Sequence, residues 1–373
     1  MDQTLATTNA FDIASARLTI DTGAIAANWT MLAGLAPNAE TGAVLKADAY
    51  GLGAEPVARA LARAGCRTFF VATVTEGVDL RAVLPEARIF VLSGLWPGWE
   101  TALVDAELIP VLSSIEQLDT FRALGRTMPF ALNFDTGMNR LGFDPADAGA
   151  LAAMPQAPAL VLSHLACSDE RGHALNQRQR ESFQSVRHAF QGVESSLSSS
   201  GGIFLGDDYH CELTRPGIAL YGGAAISGEP NPMRPVVKAE ARILQIRYAK
   251  AGTFVSYGAS HRLTRDSRLA VVGAGYADGW HRALSGSGVP LRDAGMPGGH
   301  GMANGLRIPM LGRITMDLVT FDVTDIPETD LRAGDYVSLF GDGITLDAAA
   351  QSAGTISYEL LTSLGGRYER RYL

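Results

Sequence analysis

The chain reads as a (β/α)8 barrel, a TIM-type α/β fold, followed by a smaller, mainly β domain. Short apolar runs alternate with helical patterns through the first two-thirds of its 373 residues. Beyond Gly222 the texture changes to β-rich runs punctuated by turns. Eight strands with intervening helices favour a closed parallel barrel over an open doubly wound sheet. The open sheet would be helped by a G-x-G-x-x-G turn after the first strand. Here that turn is Tyr50-Gly51-Leu52-Gly53, and Pro56 stands where the third glycine would be.

Gly42 to Ala47 is the first apolar run, and Glu55 to Ala64 follows as a helix of small residues. Thr68 to Thr73 is β-branched and aromatic, with a helix around Glu76 to Val83. Arg88 to Ser93 precedes a helix near Glu100 to Ala106, and Leu108 to Ser113 precedes one from Ile115 to Leu124. Phe130 to Asp135 is the fifth strand and Ala159 to Ala166 the sixth, followed by a long polar-amphipathic helix over Asn176 to Gln191. Ser195 to Ser200 is the seventh strand and Gly217 to Tyr221 the eighth.

Gly223 to Pro235 is rich in Gly, Pro and Asn and reads as a linker. The expected division is residues 1–235 for the barrel and 236–373 for the second domain, on which an N-terminal strand can also pack. Strands are expected over Val236 to Ala249, Gly252 to Ala259, Arg268 to Ala274, Ile308 to Leu311, Met316 to Asp322 and Tyr336 to Phe340. A helix is expected near Leu346 to Ala353, a second beyond Ser357, and an extended loop over Leu284 to Gly305.

Composition narrows the partners. Hydrophobic residues make up 47% of the chain and charged residues 19%, enough for a substantial core. The net charge is -8 with no basic block, which argues against nucleic acid or an anionic membrane as partner. Cys66, Cys167 and Cys211 are widely spaced, so neither a disulfide framework nor a zinc site is expected. No apolar run approaches the roughly 18 residues of a membrane span, and the N-terminus lacks the pattern of a secretory signal. A cytoplasmic setting is the expectation.

The chemistry is expected where a barrel keeps it, at the carboxyl ends of its strands. Lys46 ends the first strand and a glycine-punctuated turn follows at once. An unpaired ammonium is costly to bury inside a strand, but at a strand end beside a ligand-holding loop desolvation turns the amine into a nucleophile. The competing reading is an edge lysine that reaches solvent. Arg140 follows the fifth strand in Asp135-Thr136-Gly137-Met138-Asn139-Arg140-Leu141-Gly142, and His164 lies near the end of the sixth. Ser200 follows the seventh strand, and Arg215-Pro216-Gly217-Ile218 leads into the eighth. A lone histidine in an apolar run is more often a core residue than a catalyst, so His164 stands on the whole set.

The segment Ala43-Val44-Leu45-Lys46-Ala47-Asp48-Ala49-Tyr50-Gly51 closely resembles the cofactor-lysine motif of the alanine racemases. D-T-G-M-x-R-L-G, S-H-L-A, R-P-G-I-x-L-Y-G, V-S-Y-G, G-Y-A-D-G, M-D and T-I-S-Y follow in that family's order along essentially the whole chain. The resemblance implies that Lys46 binds pyridoxal 5'-phosphate (PLP) covalently and is one of two proton-moving groups acting on alanine. Tyr257, in Val255-Ser256-Tyr257-Gly258, would be the other, reaching the opposite face from a partner subunit in a head-to-tail homodimer. A tyrosine at its ordinary pKa of about 10 is a poor base at neutral pH, and His164 and Arg215 are its expected helpers. Arg215 would face the pyridine nitrogen, where a guanidinium does not readily give up its proton. Tyr50, Ser200, Gly217, Ile218 and Tyr358 would hold the phosphate. Arg140, with the backbone near Met316, would hold the substrate carboxylate, and Tyr276 and Met316 would narrow the pocket.

Two positions depart from the family's pattern. Many members carry a carbamylated lysine seven residues before the carboxylate-binding arginine, where this chain has Asn133. An asparagine brings no charge, so an anion such as chloride is expected between Asn133 and Arg140. After the seventh strand the family often has Asn-Ser, against Ser199-Ser200 here. A PLP decarboxylase of this fold would need an acid in place of Arg215. A single-domain PLP-binding protein would lack the second domain. A broad-specificity racemase is the nearest rival, because pocket volume discriminates by only about 1–3 kcal/mol per methylene.

Overall fold

The computed structural model describes residues 9–287 and 298–373 and resolves two compact units. One is Gly23–Arg234; the other joins the residues before Gly23 to Pro235–Leu373.

In the first unit the strands Ala43–Val44, Thr68–Val71, Arg88–Val91, Ile109–Leu112, Ala131–Asn133, Leu160–Leu162 and Glu194–Ser196 lie side by side in chain order, all parallel. Most of their residues are apolar on successive positions because both faces are buried, one by the barrel interior and one by helices; Glu194–Ser196 is the polar exception. Phe69, Phe70, Ile89, Phe90 and Val91 are fully enclosed, and the Phe70 and Phe90 rings stack with centroids 4.9 Å apart.

Closure comes from Leu213–Thr214, which pairs in parallel with Glu40–Thr41. Gly42 N donates to Thr214 O and Val44 N to Pro216 O, both at 2.9 Å, while Arg215 bridges Ser199 on the other side. The eighth strand is therefore Leu213–Thr214 and not Gly217 to Tyr221. In the latter run Leu220 N and Tyr221 N donate to Gly217 O and Ile218 O, closing turns. A buried apolar turn and a buried strand have the same hydrophobic pattern, so periodicity does not separate them.

The helices Ala54–Ala64, Val74–Val83, Glu100–Asp105, Ile115–Ala123 and Ala174–Ala189 fall where expected. Their limits are chemical. Thr73 and Glu76 form a capping box, Ser114 caps through Gln117 N, and Gly65 ends its helix in the left-handed conformation. The helix Thr22–Leu35 has no counterpart in the sequence reading, because its apolar residues are spread among Gly, Thr and Asn without a clean stripe.

The second unit is built on Val237–Ala249, a long strand that pairs antiparallel with Ala16–Ile20, Ser267–Val272 and Tyr336–Phe340. Ala16–Ile20 also pairs in parallel with Glu369–Tyr372. Residues from both ends of the chain thus complete one sheet, a long-range pairing that no local pattern announces. Two expected strands are shorter than their runs, and one expected loop contains a strand. Gly252 to Ala259 yields only Phe254–Val255, because Ser256 and Gly258 have φ of 68° and 69° and turn the chain. Met316 to Asp322 starts as a strand only at Val319; Thr315 and Leu318 close a tight turn ahead of it. The expected loop Leu284 to Gly305 contains the strand His300–Ala303, and its residues 288–297 lie outside the described part. Helices follow at Leu346–Ser352 and Ser357–Thr362. Among the described residues no helix is long and apolar enough to cross a membrane.

Candidate active site

Lys46 sits two residues past the Ala43–Val44 strand, at the start of a tight turn, Lys46–Gly51, rather than inside a strand. Ala47, Asp48, Ala49 and Tyr50 all take left-handed φ between 52° and 57°. Consecutive left-handed L-residues cost roughly 1–2 kcal/mol each, so the turn needs outside support. It is held by Ala49 N donating to Leu45 O at 2.9 Å, Ala54 N to Asp48 Oδ1 at 2.6 Å and Ala47 N to Glu76 Oε1 at 2.7 Å.

The turn sends Tyr50 back over the barrel mouth. Its ring lies 4.6 Å from that of Tyr221, whose hydroxyl donates to Val44 O at 2.8 Å. A Cβ at Gly217 would meet the Tyr50 hydroxyl, so a larger residue there would displace the Tyr50 ring. Ser200 Oγ accepts from Gly217 N at 2.9 Å and from Ala219 N at 3.2 Å. Tyr50, Ser200, Gly217 and the buried Ile218 therefore form one cradle at the ends of the seventh and eighth strands.

Arg215 is the most enclosed charge of the group, 5% exposed. Its guanidinium donates to Ser163 O at 2.7 Å and to Ser196 Oγ, and lies 5.9 Å from the Phe70 ring centroid. Among the described residues no carboxylate forms an ion pair with it. Burial pulls its pKa down to about 10, which still leaves it charged at neutral pH. His164 is pushed down to about 3, first by burial and then by the positive charges of Arg215, Arg140 and Lys46. Lys46 is lowered from its ordinary value by burial and by Arg140, with Glu76 opposing. These four residues thus share one electrostatic neighbourhood, and the lowered lysine is suited to nucleophilic work.

Asp135 organises the loop that carries Arg140, accepting from Gly137 N and Met138 N at 2.9 Å and from Arg140 N at 3.1 Å. Asn133 gives its two amide hydrogens to Ser113 Oγ at 3.3 Å and Leu141 O at 2.8 Å. An anion beside Arg140 would therefore find no free donor on Asn133.

Two supports have no counterpart in the sequence reading. Gln179, fully buried on its helix, donates to His164 O at 3.0 Å and Thr136 Oγ1 at 3.2 Å, and accepts from Ala166 N at 2.8 Å. It ties the His164 loop to the Arg140 loop. Glu76 is the other, and its signal was the capping-box spacing Thr73-x-x-Glu76.

The remaining candidates belong to the second unit. Tyr257, Tyr276, Met316 and Tyr358 are 74%, 44%, 54% and 42% exposed. Tyr257 sits on the 3-10 turn Tyr257–Ala259 and lines a cavity of about 340 Å³ with Ser256, Arg313, Thr315 and Leu318. Tyr276 N donates to Thr315 O and Ala277 N to Met316 O, both at 3.0 Å, so Tyr276 and Met316 are presented by one paired loop. Tyr358 stands on the helix Ser357–Thr362.

Comparison with known proteins decides the family. Residues 20–225 match the model of the alanine racemase N-terminal domain, and residues 236–372 that of the alanine racemase C-terminal domain. The chain belongs to the alanine racemase family. With it, the chain joins the amino-acid racemases, as its sequence motifs implied. It is 56% identical to the biosynthetic alanine racemase of Agrobacterium fabrum, over 98% of this chain and 96% of that one. The catabolic alanine racemase of the same bacterium is 45% identical, over 100% and 96%. The crystal structure of alanine racemase from Bartonella henselae with covalently bound pyridoxal phosphate is 39% identical, with a TM-score of 0.88 over 96% of this chain and 100% of that one. The expected fold class, a barrel followed by a mainly β domain, is borne out.

The depressed His164 has a pH signature. Above its ordinary value of 6.5 the ring is neutral in folded and unfolded chains alike. Between 6.5 and about 3 the unfolded chain takes up a proton that the folded one refuses, so stability is lost as pH falls through that window. NMR of the ring should show no titration between about pH 5 and 8, and His164→Asn should lose less stability on acidification than the parent. A ring midpoint near the ordinary value would contradict this environment.

Proposed function

We propose that the chain interconverts L-alanine and D-alanine with PLP, using Lys46 and Tyr257 as proton-moving groups on opposite faces of the substrate. The observation that carries this reading is the cluster at the barrel mouth: a lysine of lowered basicity beside Arg140, a neutral His164 and the buried, carboxylate-free Arg215. The cradle fits the cofactor. Ser200, the Gly217 backbone packed close against the Tyr50 hydroxyl, Tyr50 and Ile218, with Tyr358, would hold the phosphate. Arg215 would face the ring nitrogen, with N–H groups to donate and no acidic neighbour to pass a proton onward. Bound PLP supplies an electron-withdrawing ring that acidifies the Cα–H of the amino acid joined to it.

The chain's own groups do the rest. Arg140 takes the substrate carboxylate, and the Asp135 turn sets where that arginine starts. Chloride beside Arg140 belongs to the same proposal, held by the guanidinium alone because the amide hydrogens of Asn133 are committed. Lys46, made less basic by burial, moves a proton at one face of Cα. Tyr257 moves one at the other, with neutral His164 and charged Arg215 as its helpers. Tyr276 and Met316 limit the size of the substrate side chain.

Four groups in this scheme, Tyr257, Tyr276, Met316 and Tyr358, are exposed on the single chain, Tyr257 and Met316 over more than half of their surface. That supports a head-to-tail homodimer in which one subunit's Tyr257, Tyr276 and Met316 complete its partner's site. The identity of 56% to a biosynthetic relative, against 45% to a catabolic one from the same bacterium, favours supply of D-alanine, a peptidoglycan precursor, over alanine catabolism; a cytoplasmic setting belongs to the same proposal.

Borohydride reduction followed by peptide mapping should place the cofactor on Lys46 alone, in a protein that racemises alanine ahead of larger amino acids. A label elsewhere overturns the assignment. Tyr257→Phe should slow proton exchange from one enantiomer far more than from the other, and equal loss in both directions would count against two faces. Mixing Lys46→Ala with Tyr257→Phe chains should restore roughly a quarter of the parent activity, since half the dimers would carry one intact shared site. No recovery after verified subunit exchange would place both groups in the same chain's site.

A further inference from the structure

We propose that Glu76 is a positioning residue that sets both the place and the charge of Lys46. The proposal rests on the reading of Lys46 as the cofactor lysine, and no part of the family motif contains Glu76.

The capping role of Glu76 uses one of its two oxygens. Oε2 accepts from Thr73 N at 3.1 Å and from Ala72 N at 2.7 Å, while Glu76 N donates to Thr73 Oγ1 at 3.2 Å. That closes the N-terminus of the Val74–Val83 helix. Oε1 is left over, and it accepts from Ala47 N at 2.7 Å. Ala47 N belongs to the peptide group that follows Lys46, so this bond fixes the plane from which the lysine side chain departs. It is also made to the first of the four left-handed residues, where the chain turns away from the strand. One carboxylate therefore pins the ends of two neighbouring strands, Ala72–Thr73 and Lys46–Ala47, to one helix terminus.

The same carboxylate is the counter-charge that Lys46 feels. Arg140 acts on Lys46 with the opposite sign, and His164, the third titratable group there, is held neutral. Asp48, within the turn, spends its Oδ1 on Ala54 N. Removing the Glu76 charge leaves burial and Arg140 unopposed, so a cationic nitrogen at Lys46 becomes less favourable and its pKa falls.

Two substitutions separate charge from reach. Glu76→Gln removes the charge and one acceptor, since the amide NH2 must face one of the backbone N–H groups. Glu76→Asp keeps the charge on an arm one methylene shorter, which no longer spans both N–H groups well. Thr73→Ala removes the helix cap and leaves the carboxylate in place. Each full-length protein is loaded with PLP and followed by the absorbance of the Lys46 adduct across pH, by the rate at which hydroxylamine strips the cofactor, and by thermal unfolding.

In Glu76→Gln the adduct nitrogen should titrate about one pH unit lower than in the parent. In Glu76→Asp the titration should stay in place while the cofactor is stripped several-fold faster. Thr73→Ala should lower the unfolding midpoint and leave both other readouts unchanged. A Glu76→Gln titration that matches the parent, Glu76→Asp stripping at the parent rate, or a Thr73→Ala titration that moves as far as Glu76→Gln would overturn the proposal. A parent protein with no reducible adduct on Lys46 overturns instead the reading beneath it, and the parent sample alone reveals that.

Discussion

The barrel closes through Leu213–Pro216, and that closure carries a charge into its interior. Arg215 N donates to Ser198 O, and the residue bridges Ser199 on one side while Pro216 O accepts from Val44 N on the other. With its backbone fixed in the closing seam, its side chain is directed onto Ser163 O and Ser196 Oγ of the preceding strands. A buried guanidinium without a carboxylate is tolerated because two oxygens accept from it and the Phe70 face lies beside it. The groups near it answer to burial first and to charge second. His164 is held neutral by burial and then by Arg215, Arg140 and Lys46, while Lys46 is lowered by burial and Arg140 and finds its counter-charge at Glu76.

Strain and satisfaction are balanced in the first turn. Four left-handed residues in succession are unfavourable for an L-chain. Bonds from Glu76, Asp48 and Leu45 hold them, and the gain is local: Tyr50 folds back to meet Gly217 and Tyr221 at the cradle. A regular helix beginning at Lys46 would carry Tyr50 elsewhere. The loops bearing Arg140 and His164 are tied by Asp135 and Gln179 in the same way. Supports of this kind let loop residues keep a defined geometry over a rigid scaffold.

Much of this was legible in the residues. Most barrel strands announced themselves as apolar runs because parallel strands are buried on both faces, Glu194–Ser196 being polar throughout, and the helices between them carried visible caps. Motifs in a fixed order located Lys46, Arg140, His164 and Arg215 at strand ends. The eighth strand was misplaced because Ile218 to Tyr221 is buried as a turn and Leu213–Thr214 is too short to stand out. Tyr257 and Met316 were expected on strands, yet they sit on turns made by the positive φ of Ser256 and Gly258 and by the Thr315–Leu318 contact. Glu76 and Gln179 look locally like an ordinary cap and an ordinary helix-face residue. Their importance lies in partners 29 and 15 positions away.

The sequence by itself determined the fold class, the family and the residue types of the site. Hydrophobic period and motif order are properties of neighbouring residues, and chemistry resides in side chains. Only the tertiary structure decided what those side chains are worth. Burial and neighbouring charge set the lowered lysine, the neutral histidine and the isolated guanidinium, and neither can be summed along a chain. The same holds for the sheet that joins Ala16–Ile20 to Val237–Ala249 and Glu369–Tyr372. Such a pairing exists only once strands hundreds of residues apart find backbone partners, since buried N–H and C=O groups must be satisfied wherever the fold brings them together.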